Sequence, residues 1–402
     1  MELCAKCKGK GLCGKPCRIL ARFKILGTPK LHFSGSSPPE IFVGREGYPL
    51  VNTGVLAPQE YGSTEEYSLP EIWHQKNWTI EQIMEARSRM IYARFKSKIS
   101  DARKPSKFTG IMQEIALSSK AVSTEFFLKK LPAIKINFGA EFPIIGNPAP
   151  LKFIRLEENP KVEKKAEYLA GDTDVNAAQA IKELYDSRIQ TSNIIKMLSA
   201  GLLGTGTRRK LVPTRWSITC VDDTLSKFLL KKIKFYPEIS EVLLFSSEYL
   251  GNHYEFLLLP DKFSFEVIEA KMSGSVWNPF SQSTFFMQDY EGFSGRKTYA
   301  DNVTGAYYVN RLALCEYLEK EKKQASCLVM RECRPEYYAP CGVGILREAS
   351  RQAFRNKPEK FPTIQEALQT AQKRMRLPTS IFTEKSWLLK EYGKQTRLGK
   401  WL

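Results

Sequence analysis

Apolar positions along this chain switch period several times, and each switch marks an element. Between 33 and 60 short apolar runs alternate with turn residues. Ile41–Val43 and the segment ending Leu50-Val51-Asn52 read as two short strands around a Gly-containing turn. From Leu69 the spacing becomes helical. Pro70-Glu71-Ile72-Trp73 suits a helix start, and Ile80 to Phe95 carries apolar residues at helical intervals with basic residues between them. Residues 114–125 and 147–159 are mixed and Pro-interrupted. Residues 161–185 predict a charged helix pair with Gly171-Asp172-Thr173-Asp174 as its turn, and 189–203 an apolar-periodic helix ended by Gly204. Residues 241–270 predict a β pair with a Gly251-Asn252 turn. After a loop-rich tract at 277–300 come a helix at 305–320, a strand at 326–332, a strand-to-helix passage at 343–354 and a last helix at 361–376.

This mixture predicts an α+β or mixed α/β fold of unassigned topology. With 402 residues the chain exceeds one compact core. The expected division is a four-cysteine element at 1–30, a mixed α/β part at 31–205, an α+β part at 206–376, and a tether with a terminal peptide at 377–402. No apolar run reaches bilayer length and no signal pattern opens the chain, which predicts a protein of the cytoplasm.

Charge narrows the function. Lys and Arg number 61 against 43 Asp and Glu, a net charge of +18. Such an excess attracts phosphate backbones and releases their counterions on contact, so nucleic acid is the expected partner, ahead of a membrane surface. The densest basic stretch is Arg208-Arg209-Lys210-Leu211-Val212-Pro213-Thr214-Arg215-Trp216, followed by Asp222-Asp223. Cations that hold phosphate beside a ring that stacks on a base suit a strand-tracking surface. Arg208, Arg209, Lys210, Arg215 and Trp216, with Arg296 further on, are the candidate DNA contacts, although a single Trp is more often a core residue.

Four of nine cysteines crowd the start as Cys4-x2-Cys7-x5-Cys13-x3-Cys17, with glycines that let the backbone fold back. Four thiolates with no open position suit structural Zn(II); an iron–sulfur cluster is the alternative. At the other end Gln395, Leu398, Trp401 and Leu402 form an apolar plug on a polar handle. The spacing resembles the PCNA-interacting box, with Leu402 in place of the commoner second aromatic.

Several stretches together resemble the Nre family of archaeal DNA-repair proteins. They are the four-cysteine start, Gly35-Ser36-Ser37-Pro38-Pro39 with Val43-Gly44-Arg45, Arg209 to Thr219 with Val221-Asp222-Asp223, Tyr249 to Asn252, Asp289-Tyr290-Glu291 with Gly295-Arg296, Gly305 to Tyr308, and the terminal box. Cys220 and Leu402 stand where that pattern has Ala and Phe. The resemblance implies DNA repair beside the archaeal nucleoid through a sliding-clamp partner, and it supplies no reaction.

The residues leave the chemistry open. A nuclease would gather carboxylates around Mg(II), with Asp222, Asp223, Glu255, Glu266, Glu269, Asp289 and Glu291 as candidates. On a strand, the adjacent Asp222 and Asp223 would point to opposite faces. A lyase or glycosylase would need a nucleophilic lysine, for which Lys210 among cations is the candidate. A non-enzymatic adaptor needs neither. An RNA-binding factor is the remoter reading.

Overall fold

The computed structural model describes residues 6–7, 28–133 and 145–394. Among them, two six-stranded sheets carry the fold. The chain divides into two compact units: those residues within 7–225 and 339–344, and those within 1–6, 226–338 and 345–402. The boundary near 225 falls inside one helix, Thr214–Ile233.

The first unit holds β1 (His32–Ser37), β2 (Ile41–Val43), β3 (Leu50–Ala57), β4 (Ile91–Lys98), β5 (Val122–Leu128) and β6 (Asn147–Leu156), in the spatial order β1-β5-β6-β4-β3-β2. Only the β4–β6 pairing is parallel. β5 shows the governing pattern: Val122, Thr124, Phe126 and Leu128 are buried while Ser123, Glu125 and Phe127 face outward. This period of two packs one face and leaves the other half-exposed. The packed face meets the helix Lys107–Leu117 through Ile111, Met112 and Ile115. That helix begins where Ser106 Oγ accepts from Thr109 N–H, as an N-cap should.

The second unit holds β7 (Val242–Tyr249), β8 (Asn252–Leu259), β9 (Ser264–Lys271), β10 (Phe285–Glu291), β11 (Ser326–Cys333) and β12 (Glu359–Phe361), ordered β10-β9-β11-β8-β7-β12. Every residue of β8 and β11 is buried. A strand covered on both faces needs helices on both sides. On one face Leu244, Leu257, Ile268 and Met330 pack against Ala367, Ala371, Phe382 and Leu388 of the C-terminal helices. On the other, Phe245 and Phe256 meet Phe354 with ring centroids 4.9 and 4.8 Å apart, and Phe265 meets Tyr307 at 5.1 Å.

The α+β reading agrees with this structure, and several local expectations are corrected. The helix begun at Ile80 ends at Arg89, and Ile91–Lys98 is a strand. Residues 147–156 are a strand despite Pro148 and Pro150, whose carbonyls accept from Ala133 and Lys129 N–H groups. The hairpin turn is Leu250-Gly251, one residue earlier than expected. Both residues have positive φ, and a Cβ at Gly251 would come within 2.6 Å of the Tyr337 nitrogen. Val343–Arg355 is helical throughout. The stretch read as a tether carries two helices, Thr379–Lys385 and Trp387–Glu391, held because Phe382 and Leu388 bury against the second sheet.

Candidate nucleic-acid interface

The basic stretch at 208–216 begins on a tight turn and ends on a helix. Leu211 is buried, and its N–H donates to the Ile99 carbonyl at 2.8 Å. Val212 N–H donates to Ser199 O at 3.0 Å. The Thr214 hydroxyl then accepts from Val43 N–H at 3.0 Å and lies 3.1 Å from Ser199 Oγ. These bonds fix the backbone, so alternate side chains go to fixed places. Arg208 and Lys210 are exposed, Arg215 is half-buried, and Trp216 in the first helical turn is 47% exposed.

Arg209 goes inward. Its Nε and two Nη atoms donate to the carbonyls of Gly204, Ala170 and Asp172 at 2.8, 2.6 and 2.5 Å. Ala170 lies in the last turn of the Lys164–Gly171 helix, where a cation suits the carbonyl end. Burial lowers the pKa of this guanidinium, partly offset by Asp172. Arg209 is thus a strut, with three of its five N–H donors on backbone carbonyls.

The partner of Trp216 was invisible in its neighbourhood of sequence. Tyr48, in the exposed turn between β2 and β3, sets its ring 5.5 Å from the indole, tilted by 53°. It is 46% exposed, and Leu50 beside it 44%. Two large rings left half in water and touching each other present aromatic surface that no core uses. The only cue in the sequence was an aromatic in a turn beside Arg45.

The carboxylates proposed for a metal are otherwise engaged. Asp222 and Asp223 lie on the Thr214–Ile233 helix, not on a strand, with Asp222 fully buried. In the second unit, Glu255 accepts from Ser246 Oγ at 2.9 Å and from Arg374 at 2.8 and 3.0 Å, with His253 Nε2 at 2.9 Å. Glu266 accepts from Ser386 Oγ and from the Trp387 and Leu388 N–H groups, capping the Trp387–Glu391 helix. Glu269 is paired with Arg331 through one oxygen, and its other oxygen lies 3.7 Å from Lys271 Nζ. Asp289 accepts from Asn302 and Val303 N–H groups at 3.0 and 2.8 Å and meets Arg296 at 3.1 Å. Glu291 is held by Arg311 at 3.0 Å. Among the described residues no group of three or more His, Cys, Asp or Glu is arranged to hold a metal ion. Cys7 is buried, while Cys4, Cys13 and Cys17, and the tail residues Gln395, Leu398, Trp401 and Leu402, lie outside the described residues.

Arg296 resembles Arg209. It donates to the carbonyls of Tyr290 and Tyr299 at 2.9 and 3.0 Å, closing its own loop. That loop borders an open depression of about 350 Å³ with Asp289, Tyr290 and Lys297 in its lining. Lys210, the candidate nucleophile, is exposed, the setting of a phosphate contact and not of a dehydrated amine.

Comparison with known proteins gives a consistent answer. Residues 12–278 match the N-terminal domain described as archaeal Nre, and residues 291–401 match its C-terminal domain. The chain is 36% identical over 400 residues to the DNA repair protein NreB of Archaeoglobus fulgidus, covering 99% of this chain and all of that one. It is 36% identical to NreA of the same organism, over 92% and 93% of the two chains. It is 33% identical to NreA of Haloferax volcanii, over 83% and 81%. No solved structure matches the chain. Among the described residues no helix is long and apolar enough to cross a membrane.

Proposed function

The chain belongs to the archaeal Nre family, and on that footing we propose that it is a DNA-repair protein that holds DNA on its first unit and is brought to its work by the PCNA sliding clamp. The observation that carries the DNA reading is the exposed Tyr48–Trp216 ring pair, with Arg208, Lys210 and Arg215 in the adjoining backbone. Cations there take phosphate and the rings take a base face. Three relatives, matched over 81% or more of their own length, carry the name DNA repair protein, which fits this use. The four thiols of Cys4, Cys7, Cys13 and Cys17 are proposed to hold a structural Zn(II), and the peptide Gln395–Leu402 to engage the clamp. Work at the nucleoid, in the archaeal cytoplasm, follows from those partners.

Of the chemical roles, the adaptor reading is favoured. The acidic side chains of β8, β9 and β10 are consumed by arginines and backbone N–H groups, so a Mg(II) nuclease centre there would first have to break buried ion pairs. A lyase role for Lys210 has only its basic neighbours in support.

Two arms test the proposal. The Arg208→Glu/Lys210→Glu protein should lose at least tenfold in DNA affinity at moderate salt by fluorescence anisotropy, with its melting temperature unchanged. Removing 395–402 should abolish capture by immobilised clamp while DNA affinity stays within twofold. Unchanged DNA affinity in the first arm, or clamp capture retained in the second, would reject the corresponding half.

A further inference from the structure

The outer face of the first sheet is not uniformly polar. β4 is one of its inner strands, and its outward positions at the 94–98 end are Arg94, Lys96 and Lys98, all exposed. Side chains two residues apart on a strand point the same way at intervals of about 7 Å. The three cations therefore form a straight stripe. On β3 the cross-strand partners of Lys98 and Lys96 are Leu50 and Asn52. On β6 Pro150 pairs with Arg94, and the exposed Lys152 follows two residues later. The opposite end of this face is closed by Leu56, Met90 and Tyr92 packed with Phe42 and Tyr67, which limits the open area to the basic end.

The stripe joins the ring pair. Ile99, directly after Lys98, donates its N–H to the Pro49 carbonyl at 3.0 Å and accepts from Leu211 N–H at 2.8 Å. Segments 48–50, 98–99 and 210–211 thus run side by side. Asp101 is the carboxylate at the Lys98 end of the stripe, where it accepts from the Lys98 N–H at 2.9 Å and from Ser97 Oγ at 2.8 Å. Glu125 on β5 is already met by Arg155 at 2.7 Å and His32 at 2.8 Å, and Glu46 is the acidic member of the exposed turn.

We propose that this surface is a single-stranded DNA track, with phosphates on Arg94, Lys96 and Lys98 and an unpaired base against Tyr48 and Trp216. The proposal rests on the DNA-binding reading above and specifies its ligand. A duplex keeps its bases stacked inside, so the half-exposed rings, one in a turn and one on a helix beside the sheet, have nothing to stack on; an unpaired base offers its π-face. A straight row of cations follows one backbone as readily as it would cross two.

The test compares labelled oligothymidine, its duplex and the matching RNA on the full-length protein by anisotropy across a salt series. The single strand is expected to bind tightest. Lys96→Gln/Lys98→Gln should reduce the slope of log affinity against log salt by about 1.4, at about 0.7 per phosphate contact on a single strand. Trp216→Ala should weaken binding by about fivefold to a hundredfold, and Trp216→Phe should restore most of it. Tighter binding of duplex or RNA, or an unchanged salt slope, overturns the track. If no DNA binds even at low salt, the DNA reading itself fails. If DNA binds and only Arg208→Glu/Lys210→Glu weakens it, the track alone fails.

Discussion

The two units differ in where most of their cations go, although the first also buries Arg87 and Lys196 against Glu40. In the second, Arg311, Arg331, Arg334 and Arg351 are mostly or wholly buried and each meets a carboxylate: Glu291, Glu269, Glu332, and Glu316 with Glu348. In the first, Arg94, Lys96, Lys98, Arg208 and Lys210 face solvent along one edge and the adjoining sheet face. A net charge of +18 says only that cations are in excess. Where they are unspent says where a polyanion can lie. Buried pairs hold a sheet whose strands are covered on both sides; open cations belong to a sheet with one face free.

That contrast can be broken from either end. The largest effect is expected from Arg331→Met, which strands the Glu269 carboxylate and Asn252 Oδ1 in the core. Urea unfolding should show a loss of about 3–5 kcal/mol, and Arg331→Met/Glu269→Leu should recover much of it. Lys96→Ala or Lys98→Ala should shift stability by no more than about 0.5 kcal/mol, because an exposed lysine leaves nothing stranded. Equal losses at the two kinds of position would remove the distinction.

A smaller effect concerns pH. Burial alone would lower the His253 pKa, but hydrogen bonds to Glu248 and Glu255 more than offset this and raise it. A raised value means that the stabilisation is complete below the unfolded histidine pKa and fades as pH rises through the folded one. Glu248 moves the other way, to about 2, chiefly through its hydrogen bond to His253. Its contribution is present above the ordinary carboxylate value and fades as pH falls towards about 2. Melting temperature should therefore decline above about pH 6.5 in the wild-type protein and decline less in His253→Gln. The first unit's open cations should leave that slope untouched.

Much of the architecture was legible because burial on one face imposes a period. The strict alternation of β5 and the helix pair at 164–186 both follow from this. β4 was misread because Ile80 to Phe95 mixes two periods, and Arg94-Phe95-Lys96-Ser97-Lys98 in fact alternates in twos. The C-terminal helices were hidden by their shortness, since seven and five residues show too few turns for a helical period to stand out. The interface was half legible. Trp216 and its cations are contiguous in the chain, but Tyr48 reaches them through the pairing of β3 with β4, the Leu211–Ile99 bond and the Val43–Thr214 bond. Likewise nothing local tells Arg209 or Arg296 from a phosphate ligand. Their acceptors are backbone carbonyls brought round by turns. The carboxylates looked like metal ligands for the same reason: Arg374 lies 119 residues from Glu255.

The most direct test is photo-crosslinking of the full-length protein to single-stranded DNA carrying halogenated uracil, followed by peptide mapping. Adducts are predicted at Tyr48 and Trp216, with Lys96→Gln/Lys98→Gln lowering their yield. Adducts confined to the loop-rich stretch at 277–300 of the second unit, around Tyr290 and Arg296, would contradict it.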